Sequence, residues 1–450
     1  MSPTRARVAT AAAMTFAAAL AMTACAPGGG GTGPTALTNV SKDVSGAGDV
    51  TLKLSDFWGS AEEKWIVELI DEFEGAYPNV TIERTREDWG QLTSTLNLQL
   101  QDAGGPDIAS ANNGWSSLGT LAKGNLVLNL DAYADLYGWK DTVPTTIARQ
   151  NQFTTDFRTI GEGSWFATPL ARASLIGVYY NADKLKALGI DVPTNLAELE
   201  SAAAKVKAAG EVPFNYNGVD GNTAILLGLQ ALYGSEADIN DFVYGSTTVD
   251  AAKTGMTEAA ATLQKWGNNG WLSPNFEGLD YQTMLAKFVD GDGVFRFDYT
   301  GALGLSGDQL NKFGYIQLPQ VDGGSTVGVG AAPGAMVISA KCAHPDVAAA
   351  FLDFLMSKKA SQTAVDLGLV PMLHADVSIP DVLSQRDEAA ATAALDADDG
   401  YVPYFDWSSP TMLDTITQNT QLLLAGRATP EDVSTAVDAD RNAFLAGSGS

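Results

Sequence analysis

Between Val50 and Ala111 the spacing of apolar residues changes period at every step, and this alternation restricts the fold more than any other feature of the chain. Val50, Leu52 and Leu54 alternate with polar residues, a strand pattern that runs into Phe57-Trp58-Gly59. Ser60 with Glu63 three residues later is a capping-box signature, and Trp65, Ile66, Leu69, Ile70, Phe73 and Tyr77 share one helical face until Pro78 stops it. Val80 and Ile82 begin a second strand. Asp88 with Gln91 opens a second helix whose stripe is Leu92, Leu96 and Leu100, and Gly104-Gly105-Pro106 closes it. Ile108 to Ala111 then reads as a third strand, so the order strand, helix, strand, helix, strand predicts a parallel α/β unit.

The same grammar returns from Leu175 onward. Strands are expected over 176–180, 293–297, 314–318 and 335–339, with a strand end at Pro213-Phe214-Asn215-Tyr216. Helices are expected over 183–188, from Thr194 to about Gly210, and over 223–233, 345–357, 411–425 and 430–445. A chain of 450 residues, 45% hydrophobic and 18% charged, is long enough for two cores. No repeat of fixed period is present, which disfavours solenoids and propellers.

At the N-terminus, Arg5 and Arg7 precede a fifteen-residue apolar run from Val8 to Met22. A membrane span needs roughly 20 apolar residues, so the run fits a signal-peptide core over residues 1–24. It ends in Met22-Thr23-Ala24-Cys25, which resembles a bacterial lipobox with Cys25 as the lipidated residue. Cys342, the second of two cysteines, then has no thiol to pair with and reads as a small buried residue. Residues 25–48, rich in Gly, Thr, Ser and Ala, are expected to be a flexible tether with the folded part starting near Asp49. The formal charge is −26, and −28 once Arg5 and Arg7 are removed, a field that repels phosphate backbones and anionic lipid headgroups. Nucleic acid is not an expected partner.

Motifs for phosphoryl transfer, zinc proteolysis and α/β-hydrolase chemistry are absent from the sequence. His344 and His374 have no carboxylate or cysteine at metal spacing, and no metal or cofactor is expected. A secreted glycosidase stays open, because the separation of two carboxylates is a property of the fold. What stands out is the set of aromatic and polar residues at strand-to-helix turns, where open α/β sheets bind ligands. These are Trp58 and Glu62, Asp88 and Trp89, and Asn112, Asn113 and Trp115. Rings cover the apolar faces of a sugar while carboxylates and amides take its hydroxyls. Trp65 and Trp266 sit inside helical stripes and read as core. For Trp58, Trp115 and Trp407, position leaves pocket and core both open.

Several segments resemble the extracellular solute-binding proteins that deliver sugars to bacterial ABC transporters, the maltose-binding-protein-like family. They include Phe57-Trp58-Gly59-Ser60, the run from Glu72 to Val80, Gly105-Pro106-Asp107-Ile108, Trp165-Phe166-Ala167-Thr168-Pro169, Tyr179-Tyr180-Asn181-Ala182-Asp183, Ala343-His344-Pro345-Asp346 and Gly426-Arg427-Ala428-Thr429-Pro430. The resemblance implies an α/β periplasmic-binding-protein-like fold: two lobes, a ligand cleft between them and three hinge crossings, near Ala171 to Leu175, Lys312 to Ile316 and Leu373 to Ser378. The first lobe would comprise 49–172 with 316–378, the second 173–315 with 379–450. Matching cleft positions are Trp58, Gly59, Ser60, Glu62, Asp88, Trp89, Asn112, Asn113, Arg172 at the hinge, Asn215, Asn222, Asp298 and Tyr299. Asp298-Tyr299-Thr300-Gly301 replaces the family's small residue and tryptophan, so Tyr299 or Trp407 is expected to supply the missing ring. The implied function is a lipid-anchored, monomeric receptor, not an enzyme, that captures a carbohydrate, in expectation an oligosaccharide, for membrane permease subunits. A polyamine, a peptide or another small solute is the alternative within the fold.

Overall fold

The computed structural model describes residues 36–448, apart from 171–173, 220–222, 246, 304–308, 310, 324–325, 332–334, 368, 370–372, 375–376 and 379–400. The signal-peptide segment and Cys25 lie outside the described residues. No helix among those described is long and apolar enough to cross a membrane.

The predicted opening alternation is present as β1 (Val50–Asp56), α1 (Ser60–Ala76), β2 (Val80–Arg86), α2 (Trp89–Gln101) and β3 (Ile108–Ala111). β1 pairs in parallel with both β2 and β3, with Asp56 opposite Arg86 and Leu54 opposite Ile108. All four β3 residues are buried, as expected of a strand inside a sheet covered on both faces. Short helices α3 (Thr120–Lys123), α4 (Asp131–Tyr137), α5 (Trp139–Thr142) and α6 (Thr145–Ala148), and a small hairpin of β4 (Gln152–Phe153) and β5 (Ser164–Trp165), lead to the long β6 (Ser174–Asn181). Then come α7 (Ala182–Leu188), α8 (Leu196–Ala208), α9 (Thr223–Tyr233), α10 (Glu236–Tyr244), α11 (Met256–Asn268) and α12 (Tyr281–Val289). β7 (Phe295–Tyr299), β8 (Phe313–Ile316) and β9 (Gly328–Ala331) all pair antiparallel with β6. β10 (Ala335–Ile338) returns to β3, and α13 (Pro345–Leu355) and α14 (Lys358–Asp366) follow. β11 (Tyr401–Val402) joins β9, and α15 (Met412–Leu424) and α16 (Pro430–Ser448) end the chain's described part.

Besides the β4–β5 hairpin, two larger sheets result, in the orders β10-β3-β1-β2 and β11-β9-β6-β7 with β8 on β6, each carrying its own helices: the expected two-lobe α/β architecture. One core lies between the first sheet and α1, α4, α13 and α14, where Trp65 donates from its indole N–H to the Ala360 carbonyl at 2.9 Å. The other joins α2 to the second lobe, with Phe214 stacked on Trp266 at 4.1 Å.

Strand pairing moves one expected crossing. Residues 312–316 do not lead into the first sheet. β6 is eight residues long and holds two strands on one edge, β8 against Val178–Asn181 and β9 against Ser174–Ile176. Among the described residues the chain therefore next joins the first sheet at Ala335, after β9 has ended in the second at Ala331. Residues 171–173 of the first expected crossing lie outside the described residues. At the third, Leu373 is buried in the first core and Ser378 donates to the Gln362 side chain, so first-lobe packing continues through Ser378.

Two local expectations also shift. The cap of α1 is Gly59, not Ser60, because Glu63 turns to Arg84 rather than to the cap. Residues 37–48 are not a free tether: Val44 is buried, Leu37 and Val40 pack on the first core, and Ser45–Ala47 form a 3₁₀ turn.

Candidate functional site

Parallel pairing with matched register brings the carboxyl ends of β1, β2 and β3 to one edge of the first sheet, which is where the turns bearing Trp58, Trp89 and Asn112 emerge. The β1–α1 turn is held by a buried charge. Asp56, fully shielded from solvent, accepts from Arg84 Nε at 2.6 Å, from Arg84 Nη2 at 2.7 Å and from the Trp58 N–H at 3.0 Å. Arg84 also donates to the Trp58 carbonyl at 2.8 Å and to Glu63 at 3.2 Å, so one guanidinium fixes both sides of the turn. Phe57 bridges Trp58 and the exposed Trp89, whose ring meets it edge-on at 4.6 Å.

Glu62, in the first turn of α1, is open to water yet walled by protein on most sides. That enclosure, with the nearby Asp56 charge second, pushes its carboxyl up to about 7. A Glu62→Gln variant is expected to abolish a titration near pH 7 seen in carboxyl NMR spectra, and to flatten any dependence of ligand affinity on pH between 6 and 8. Persistence of both features in the variant would assign them to another group.

In the second lobe an aromatic cluster faces the end of β3. Tyr299 meets Tyr404 at 5.6 Å, and Tyr404 meets Trp407 at 5.5 Å, both edge-on. Burial pushes the Asp406 carboxyl up to about 6, against a hydrogen bond from the Asn112 side chain that favours its charge. Asn112 thus reaches across from the first sheet. Gly114, at φ +76°, makes a second crossing contact: a Cβ there would lie 2.3 Å from the Trp407 Cβ, so a glycine is required both by backbone and by space. Among the described residues, Trp407 Nε1 and the Tyr401 hydroxyl are buried without a hydrogen-bond partner, an arrangement that costs about 1–3 kcal/mol per group unless something else bonds them.

The sequence-derived residues divide into three groups. Glu62, Asp88 and Trp89 are exposed around the sheet edge, and half-buried Asn112 and Tyr299 join the aromatic cluster. Trp58, Trp115 and Trp407 are 5%, 2% and 0% exposed, so each is packed into a core; Trp115 lies 5.0 Å from both Phe153 and Phe444. Asn113 is buried and donates to Asn151 Oδ1 at 3.1 Å. Asn215 and Asp298 instead flank Arg296. Its Nε donates to Asp298 at 2.6 Å, its Nη1 to Asn215 Oδ1 at 2.5 Å, and the Tyr281 hydroxyl donates to Asp298 at 2.9 Å, all in the interior. Arg172 and Asn222 lie outside the described residues, as does the side chain of Ser60. Sequence reasoning missed Arg84, Tyr401, Tyr404 and Asp406; the aromatic density of Tyr401-Val402-Pro403-Tyr404-Phe405-Asp406-Trp407 was the available signal.

A cavity of about 20 Å³ in the second lobe, between α9 and β6, is lined by Ile176, Val178, Leu232, Phe297 and Val329, with Gln317 its polar member. It is water-sized and separate from the aromatic cluster in lining.

Residues 58–362 match the family model described as bacterial extracellular solute-binding protein. A "Multiple sugar-binding protein" from Streptococcus mutans serotype c (strain ATCC 700610 / UA159) is 28% identical over 214 residues, 46% of this chain; the chain spans about half the length (51%) of that curated relative. Among solved structures, a "Chitin oligosaccharide binding protein" superposes with TM-score 0.72 at 19% identity, over 88% of this chain and 99% of that one. RafE in complex with raffinose superposes with TM-score 0.67 at 20% identity, over 88% and 100%. With the family model covering well over half of its length and the two-sheet fold shared with such receptors, the chain belongs to the bacterial extracellular solute-binding proteins.

Proposed function

We propose that this protein is the lipid-anchored, extracytoplasmic receptor of an ABC importer and that its ligand is a carbohydrate, an oligosaccharide in particular. The observation that carries this reading is the cluster of Tyr299, Tyr404, Trp407 and Asp406, met by Asn112 from the other sheet, with two buried donors, Trp407 Nε1 and Tyr401 OH, left unpartnered among the described residues. Rings beside a carboxylate and spare donors suit a molecule with apolar faces and many hydroxyls. The relative and the superposed structures are named for sugars, which supports the same ligand class. Glu62, Asp88, Trp89, Asn112, Tyr299 and Asp406 are the proposed contacts, with the fully buried Trp407 backing the cluster, and binding closes the lobes over the ligand without making or breaking a bond. Acylation of Cys25 and a monomer that docks on permease subunits complete the reading.

A thermal-shift screen over mono- and oligosaccharides tests it, since ligand at 100 times its dissociation constant stabilises a protein by about 2.7 kcal/mol. No shift with any sugar overturns it.

A cationic solute is the second reading, favoured by Glu62, Asp88 and Asp406 standing where Arg84 and Arg296 are already committed to Asp56 and Asp298. Salt separates the two. A sugar held by stacking and short hydrogen bonds keeps its affinity as the Debye length falls from about 10 Å at 0.1 M to 3 Å at 1 M. We expect calorimetry to give less than about a threefold change over that range; a drop beyond about tenfold promotes the cation.

A further inference from the structure

Residues 37–48 have the composition of a linker but the contacts of a structural element. The Asn79 side chain donates to the Val44 carbonyl at 3.1 Å and to the Gly48 carbonyl at 2.8 Å. The Ser41 N–H donates to Asp346 at the start of α13, and the same carboxylate oxygen accepts from the Tyr133 hydroxyl at 2.7 Å. Lys42 lies over the Tyr137 ring at 4.8 Å. Val44 is 2% exposed, and Leu37 and Val40 pack on the first core. Asp43 folds the segment on itself by accepting from the Ser45 hydroxyl and the Gly46 N–H. One side-chain amide from the α1–β2 turn, one carboxylate, one cation over a ring and one buried valine thus hold the segment at four places, the Ser41 and Lys42 end lying on the α4–α13 side of the first lobe.

We infer that this segment is a strap that moves the protein's point of attachment from β1 to the α4–α13 corner of the first lobe and so shortens the leash to the membrane. The inference rests on the proposed acylation of Cys25. Eleven residues separate Cys25 from Ala36, against twenty-four from Cys25 to Asp49. At full extension these reach about 36–40 Å and about 79–86 Å respectively. A docked strap therefore keeps the α4–α13 corner within about 40 Å of the anchored cysteine, where a free tether of twenty-four residues would allow the first lobe about 86 Å.

The strap can be tested apart from the anchor. Lys42 is the only trypsin site between Ala26 and Lys53, and a protease must lift several residues on either side to cut there. In the full-length mature chain, Val44→Asp and Asn79→Ala should each raise the rate of cleavage after Lys42 by about tenfold or more, with sugar affinity unchanged. Equal rates in wild type and both variants overturn the strap. For the leash, a dye on Asp49→Cys in a Cys342→Ser background, with acceptor lipids in vesicles, reports height above the bilayer. Strap release and insertion of twelve Gly/Ser residues after Thr35 should both lower energy transfer. If insertion lowers it and strap release does not, the leash already runs from Asp49 and the inference fails. If the acylated chain does not partition with vesicles at all, the anchor reading fails while the trypsin result still decides the strap.

Discussion

Asp406→Asn is expected to make the unliganded protein more stable at pH 7.5, by about 2–3 kcal/mol, while weakening its ligand about tenfold or more. Both effects follow from the same burial. Asp406 is 6% exposed and its carboxyl is pushed up to about 6, against about 3.9 for an unfolded aspartate. The folded state thus binds the proton more tightly than the unfolded chain does, and above pH 6 the ionised group costs the fold about 1.4 kcal/mol for each unit of that difference. The wild type gains stability as pH falls through 6, and the gain is complete below about 4. The asparagine variant has no such gain, so its advantage should shrink to nothing near pH 4. Urea denaturation at pH 7.5, 5.5 and 4 measures this directly, and titration calorimetry with the cognate sugar measures the loss of affinity. A variant that is stabilised but binds normally would remove Asp406 from the ligand site. A variant that is not stabilised would mean the carboxylate is better satisfied than its surroundings indicate.

Asp298→Ala is the opposite case, a residue placed by sequence in the ligand cleft whose expected effect is on folding. Removing the carboxylate strands Arg296, fully buried and with Nη2 already unpartnered among the described residues, and takes the acceptor from the Tyr299 N–H. Loss of one partner from such a buried pair costs about 3–5 kcal/mol. Replacing both partners, as in Arg296→Met with Asp298→Leu, should recover most of that, because two apolar groups of similar volume need no compensation. Denaturant midpoints for the single and double variants decide the matter. A single variant within about 1 kcal/mol of wild type would show that water reaches Arg296 and that the pair is not the structural centre described here.

Much of the architecture was legible because it is written in local periodicity. The switch between period 2 and period 3.6 from Val50 to Ala111 requires no knowledge of distant partners, and parallel pairing of β1, β2 and β3 then brings their turns to one edge. That is why the sequence alone assigns Trp58, Trp89 and Asn112 to the same edge. The buried centre was not read: Asp298 was expected in the cleft beyond a strand ending at 297, whereas β7 runs on to Tyr299 and puts Arg296 and Asp298 two apart on one face. What local pattern cannot carry is the direction in which an aromatic or charged side chain is finally used. Trp407 is enclosed because Gly114, nearly three hundred residues earlier, lets it approach; Arg84 is spent on Asp56 because β2 lies beside β1. The return crossing moved for a similar reason, since β6 has the length to hold β8 and β9 in turn, a property of pairing and not of either short strand. Residues 37–48 read as a linker because their own apolar content is low, and only Asn79, Tyr137 and Asp346, brought together by the first lobe, supply the partners that dock them. Sequence by itself determined the elements and the sheet edge at which the candidate site lies; tertiary structure decided which side chains stay exposed at that edge and which are consumed in holding the lobes, because hydrogen-bond and ion-pair partners are chosen in space.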